Sequence, residues 1–420
     1  MSFQQALSGL NASSQNLDVI GNNIANANTY GAKSSSVVFA DMYANALNGS
    51  TSSQAGIGVN VQAITQHFSQ GTIEATSNAN DLAINGAGFF QVTDGAATFY
   101  TRNGQFQINN QGNIVNAAGD KLMGYPASAA GVVTPGNATP LTLPTAGINP
   151  QATSAMILQA NLDSASAVTL PVTTPAINFN NAATYNNATS VTAYDAKGQT
   201  VALTYYFQKS ATDTWNVYAT ANGTSVNTDA SGNPTPISSV TFAANGSAPT
   251  SPTTPITFNV PASTNAAGAA TLPMTGVTLD LSGTTEYGSA FGVTNLAQDG
   301  FASGQLTGIA IDATGIVKAS YSNGQSKAAG QVELATFRDP QGLKSVGGNN
   351  WVASTASGTP IVGTPGTGNL GVLQSSALED SNVDLTSELV NMMTAQRTYQ
   401  ANAQTIKTQD QVLQTLVSLR

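Results

Sequence analysis

The sequence predicts a mainly β, α+β chain of several domains, with long terminal α-helices forming a coiled coil around nested, discontinuous β domains. Three observations carry this. All 17 prolines lie between Pro126 and Pro365, leaving both ends free of the strongest helix breaker. Apolar residues recur every seven positions at each end, and between the ends short alternating runs are separated by Gly-containing turns.

At the N-terminus Phe3, Leu10, Leu17 and Ile24 repeat at heptad spacing, with Leu7 beside them. Ala6, Ser13, Ile20 and Ala27 fill the d-like places of the same register. The only charged side chain before Lys33 is Asp18, so the other faces are Ser, Asn, Gln, Gly and Ala, which can be packed on several sides. At the C-terminus Leu385, Met392, Tyr399, Ile406 and Leu413 are spaced by seven, supplemented by Leu389, Ala395, Ala403 and Leu416. Ser381 or Asn382 is placed to cap this helix; Asp384 and Glu388 fall early, and Arg397, Lys407 and Arg420 late, as the helix dipole favours. A helix of about 37 residues would be roughly 55 Å long. Its stripe needs a partner, because helices in water are stabilised mainly by burial of an apolar face. Either the two terminal helices zip together within one chain as a stalk, or they pack beside the same helices of neighbouring subunits; the scarcity of charge favours the second. The expected interface residues are Phe3, Leu7, Leu10, Leu17, Ile20, Ile24, Leu385, Leu389, Met392, Tyr399, Ile406, Leu413 and Leu416.

Inside the helices, residues 31–70 plus 361–381 read as a linker, and NALNGSTSSQAGIGV at 46–60 as a Gly/Ser loop or joint. The β-rich body covers 71–155 plus 286–360. Asp81 to Val92 and Ala97 to Tyr125 alternate apolar and polar residues, with turn signals at Asn85-Gly86, Asp94-Gly95, Asn103-Gly104 and Gln111-Gly112. A matching run at Gly304 to Phe337 turns at Ala313-Thr314-Gly315 and Asn323-Gly324, so strands from both halves are expected to close the body. Residues 156–285 shift to Thr, Ser, Asn, Ala and Pro and read as an inserted outer β domain. Its expected meander is Val191 to Tyr194, Val201 to Phe207 and Trp215 to Ala219, with Val201, Leu203, Tyr205 and Phe207 on one face meeting Trp215 and Val217 in a sandwich or barrel. SAPTSPTTP at 247–255 reads as a loop.

Composition removes most chemistry. Lys plus Arg number 12 and Asp plus Glu 21 in 420 residues, a net charge of −9 with only 8% of residues charged. An acidic chain without a basic run does not suit DNA, RNA or an anionic membrane surface. No stretch reaches the roughly 18 apolar residues of a membrane helix. The first residues lack the charged and apolar regions of a secretory signal, so the chain is expected to stay inside or to leave by a route that reads no cleavable signal. With no cysteine and a single histidine, His67, thiolate nucleophiles, disulfides and imidazole-based metal sites are excluded, and His67 reads as structural. Gly56-Ile57-Gly58 and Gly86-Ala87-Gly88 lack the third glycine of a dinucleotide loop, and no Gly-Lys pair exists for a phosphate loop. Paired carboxylates could serve glycoside hydrolysis, but spacing alone cannot place two of the 21 acids together. Sequons such as Asn11-Ala-Ser13 are expected by chance in a chain so rich in these residues. No enzyme, cofactor or metal is expected.

SGLNASSQNLDVIGNNIANANTYGAKS at 8–34 and LEDSNVDLTSELVNMMTAQRTYQANAQTIKTQDQVL at 378–413 closely resemble the ends of bacterial flagellar axial proteins of the rod and hook family. DLAINGAGFF at 81–90, YTRNGQFQINNQGNIV at 100–115 and the runs at 286–312 and 321–343 resemble its hook members in particular. Where that pattern carries an aromatic between Gly and Lys, this chain has Ala32. The resemblance implies a structural subunit polymerising into a curved, flexible tube between rod and filament. It implies as partners other copies of the chain, rod, hook-cap and hook–filament junction proteins and the type III export apparatus, with residence in the extracellular hook. The distal rod protein is the alternative within the family, and the inserted domain favours the hook. A secreted β-rich adhesin or carbohydrate-active protein is the reading from another class.

Overall fold

The computed structural model describes residues 2–42, 58–128, 130–144, 146–169 and 174–418. They form two compact units: Met1–Thr145 with Thr307–Ser320 and Ser326–Arg420, and Ala146–Leu306 with Tyr321–Gln325.

In the first unit, helix α1 (Ser2–Ala25) packs antiparallel to helix α2 (Leu385–Ser418), Asn23 donating to Glu388 at 3.1 Å near one end and Gly9 lying against Asn402 near the other. The buried side of α1 is Ala6, Ala12, Ser13, Ile20 and Asn23, and among the described residues of α2 Ala395 is buried. A Cβ on Gly9 would fall 2.9 Å from Asn402 Nδ2, so small residues let the two backbones approach. This differs from a heptad zip: the d-like series is inside, whereas Phe3 and Leu7 are exposed and Leu10, Leu17 and Ile24 only half-buried. The physical reason is size, since a face of Ala, Ser and Gly permits closer contact than one of Leu and Phe.

Strands β1 (Ser35–Met42) and β2 (Gly58–Gln66) form an antiparallel hairpin, Ser35 opposite Gln66 and Met42 opposite Gly58, with a bulge at Val38/Phe39. Within the segment expected as linker, Ser35–Met42 and Gly58–Gln66 are thus strand. Of the loop expected at 46–60, residues 46–57 lie outside the described residues and 58–60 open β2. The body interleaves the two halves of the chain in one large sheet and in separate strand pairs. Strand β3 (Ile73–Ala75) pairs with Ala377–Glu379, and β4 (Leu82–Asn85) with Val372–Ser375. Strand β5 (Phe89–Thr93) pairs with β6 (Thr98–Thr101), with Lys121–Pro126 and with Leu334–Thr336. Alternation along β5 splits the core. Phe90 and Val92 join Leu82, Leu122, Val332 and Leu334 on one side, and Phe89 joins Tyr100, Phe337 and Trp351 on the other, where the rings meet edge to face.

The second unit is a sandwich. Six strands run in the order Asn187–Tyr194, Thr200–Ala211, Thr214–Ala221, Ser238–Phe242 and Pro249–Ser251, with Thr224–Ser225 at the side. Four more form a sheet of Ile256–Val260, Met274–Asp280, Ala155–Asn161 and Gly292–Gln298. Leu203, Tyr205, Phe207, Trp215 and Val217 of one sheet share a core with Met156, Leu158, Val277 and Leu279 of the other. This unit extends beyond 156–285 at both ends because Gly292–Gln298 pairs with Ala155–Asn161, Met156 opposite Gln298. Residues 249–251, read as loop, are an edge strand, where a proline is tolerated.

Candidate subunit interface and the root of the helix pair

Where the chain leaves α1 and enters α2, three charged side chains are buried together. Glu379 Oε1 accepts from Lys33 Nζ at 2.6 Å and from the Gly71 amide at 2.9 Å, and Oε2 accepts from Arg102 Nη1 at 2.9 Å. Lys33 also donates to the Ser69 carbonyl, and Arg102 to the Gly86 carbonyl while lying over the Phe89 ring. Burial lowers the Lys33 pKa, opposed by the attraction of Glu379. The backbone closes the same junction, the Gly31 amide donating to the Glu379 carbonyl at 2.8 Å. Gly31 has φ of +71°, and a Cβ there would fall 2.5 Å from the Asn103 amide nitrogen, so only glycine fits. Ala32 is buried beside a polar cavity of about 240 Å³ that Trp351 and Asn349 also line.

The start of α2 is capped by Asp384, whose Oδ1 accepts from the Thr386 and Ser387 amides, and not by Ser381 or Asn382. Asn382 instead ties the root: Oδ1 accepts from the Ser34 amide at 2.7 Å and Nδ2 donates to the His67 carbonyl at 2.7 Å. Asn23 does the same from α1, exchanging two bonds with Ser35 and donating to Glu388. His67 meets Ser36 Oγ at 2.9 Å, a contact within the hairpin region.

Beyond this root the helices carry six of the expected interface residues on their outside, Phe3 and Leu7 among them. Leu385, Leu389, Tyr399 and Leu413 are exposed, with Val390, Met393 and Val412 alongside, and Leu413 keeps 55% of its surface. Met392 and Ile406 are half-buried, Ile20 is buried, and the side chain of Leu416 lies outside the described residues. Val38, Phe39, Met42 and Ile64 of the hairpin are also exposed. An open groove of about 750 Å³ runs between α1, α2 and the hairpin, lined among others by Asn16, Phe39, Gly58 and Ala395. Among the described residues no group of three or more His, Cys, Asp or Glu is arranged to hold a metal, and no helix is long and apolar enough to cross a membrane.

Comparison with known proteins accords with this layout. Four family models match in chain order: a flagella basal body rod protein model at residues 3–33, the flagellar hook protein FlgE/F/G D1 domain at 83–158, the flagellar basal body protein FlaE D2 domain at 161–301, and the flagellar basal body rod FlgEFG protein C-terminal model at 374–419. The chain is 42% identical over 432 aligned residues to the flagellar hook protein FlgE of Salmonella typhimurium and 41% identical over 425 to that of Escherichia coli, both chains being covered completely in each case. A crystal structure of the Helicobacter pylori flagellar hook protein FlgE2 has the same fold over 73% of this chain and all of its own, with a TM-score of 0.55 at 15% identity. With its terminal helices, interleaved β body and inserted sandwich, the chain belongs to the flagellar hook protein FlgE family.

Proposed function

We propose that the chain is the structural subunit of the bacterial flagellar hook, a homopolymeric, flexible curved tube outside the cell that works as a universal joint between rod and filament. The observation that carries this reading is the row of exposed apolar side chains on the terminal helix pair, Phe3, Leu7, Leu385, Leu389 and Leu413 among them, in a chain similar over its whole length to hook proteins. A helix pair that satisfies itself through small residues leaves its large ones for neighbours, and burying each would contribute roughly 1.5–3 kcal/mol. The interface is therefore between the terminal helices of adjacent copies. The rod, the hook cap, the hook–filament junction and the type III export apparatus are its further partners. A surface with few charges suits a joint, because contacts can be exchanged in bending without breaking desolvated ion pairs.

Deleting residues 1–30 or 385–420 tests the proposal: the truncated chains are expected to stay monomeric where the full chain forms tubes in electron micrographs, and tubes from either truncation would overturn it.

A further inference from the structure

Glu333 is 2% exposed, and its Oε2 is buried without a hydrogen-bond partner. The ion pairs of the described residues, Lys33 and Arg102 with Glu379, Lys209 with Glu286 and Lys318 with Asp312, do not include it. Its position follows from strand register. Leu334 pairs with Phe90 and Val92 with Leu122, so Gln91 and Glu333 are the next positions at the place where β5 changes partner between two strands. Phe90, Val92, Val332 and Leu334 all enter one core, which puts Gln91 and Glu333 on the opposite face, with Tyr100 directly across from Gln91. Gln91 Oε1 is likewise buried and without a partner. Two acceptors at these adjoining positions cannot satisfy each other, but a carboxylic acid is a donor.

Glu333 acts electrically on two phenols, Tyr100 of β6 and Tyr125 of the strand Lys121–Pro126, each with its own pKa raised by burial first and by Glu333 second. Lys121, at the far end of that strand, stands opposite Thr93. The strand Ile361–Gly363 on the other side of Leu334–Thr336 carries no charged residue. None of the ion pairs among the described residues compensates a negative charge there.

We propose that Glu333 is a proton-sensitive tie in the body sheet: as the neutral acid it donates its O–H to Gln91 Oε1 where β5 changes partner, and on ionising it leaves a charge without a counter-ion at that point. Burial is the cause that raises its pKa, from 4.5 to about 7. A raised carboxyl pKa contributes stability that is fully present below 4.5 and is lost as pH rises through about 7. Within that window the folded-to-unfolded ratio is expected to fall by up to ~10-fold per pH unit.

The test uses the full chain and Glu333→Gln, comparing amide hydrogen exchange at Leu334 and Ala335 between pH 4.5 and 8. Protection in the native chain is expected to fall with pH relative to the variant, and a ratio constant across the range would overturn the proposal. A carboxyl 13C titration of Glu333 in the unaltered chain stands independently of whether the variant folds. A midpoint near 7 is expected; one near 4.5, as would follow if the Gln91 amide turned its Nε2 toward an ionised Glu333, would overturn it.

Discussion

Lys33 and Glu379 lie 346 residues apart in the chain and meet at 2.6 Å with both side chains fully buried. Arg102 reaches the second oxygen of the same carboxylate, so one acid joins the exit of α1, the body and the approach to α2. Removing the charge of Glu379 would strand two buried cations. Glu379→Gln is expected to destabilise the first unit by about 3–5 kcal/mol, the range for breaking a buried pair from one side. Urea unfolding of the full chain checks it, and a loss below 1 kcal/mol would show that solvent compensates the cations.

That junction was not legible in the sequence, although Glu379 lies in a run that identifies the family. Its partners are separated from it by hundreds of residues, and no local period marks a long-range ion pair. The helices were legible because heptad spacing and the absence of proline are local signals, and so was the meander from Asn187 to Ala221, where alternation predicts the buried set Val201, Leu203, Tyr205 and Phe207. Which side of α1 faces α2 was not legible, since hydrophobicity pointed to Phe3 and Leu10 while close approach selected Ala6, Gly9 and Ser13. The ends of the inserted unit were missed for a related reason: the strand Gly292–Gln298 is mostly exposed and lacks a clear buried alternation. A recurring Asx-x-x-Gly turn, at Asn116–Gly119, Asp195–Gly198, Asp229–Gly232 and Asp312–Gly315, was available as a signal, its Asx oxygen accepting from the amide four residues on.

In the second unit Lys209 Nζ lies 3.1 Å from Glu286 Oε1, donates to the Ser164 carbonyl at 2.7 Å and sits over the Trp215 ring. Neither oxygen of Glu286 gains an aligned hydrogen bond, so the pair is an ion contact of poor geometry. Lys209→Met alone is expected to destabilise this unit by about 3 kcal/mol or more, because it leaves a buried carboxylate. Lys209→Met with Glu286→Gln is expected to recover most of the loss. Thermal unfolding of these two variants and of Glu286→Gln alone measures the coupling, and additive losses would refute it.

Asp299 contributes to the acid limb of this unit's stability. Burial pushes its pKa up, but hydrogen bonds from Ser154 Oγ at 2.5 Å and from the Ala155 and Ser154 amides outweigh burial and hold it below 3.8. A depressed carboxyl pKa contributes stability present above 3.8 and lost as pH falls through the folded-state value. Asp299→Ala is therefore expected to be less stable than the native chain by about 1–3 kcal/mol at pH 7, with the gap narrowing once pH falls below that of the free side chain. Unfolding curves at pH 7, 4 and 2.5 check the sign; a gap that widens on acidification would contradict it.

The proposed subunit contact along the exposed apolar row would separate folding from assembly. Leu413 keeps 55% of its surface and Leu389 46%, so neither contributes much to the isolated chain. Substituting either by lysine is expected to change monomer stability by no more than about 0.5 kcal/mol, as for other surface sites. In a polymer the same lysine would be buried among apolar neighbours, and desolvating an unpaired ammonium costs several kcal/mol per contact. Repeated at every subunit of a helical tube, that cost should abolish growth. Leu389→Lys and Leu413→Lys are thus expected to unfold at the native temperature yet sediment as monomers under conditions where the native chain forms tubes. Ile20→Lys, at a position buried between α1 and α2, should instead disrupt the helix pair itself and lower the melting temperature. Tubes of normal length from both exposed variants would place the contact surface elsewhere on the molecule.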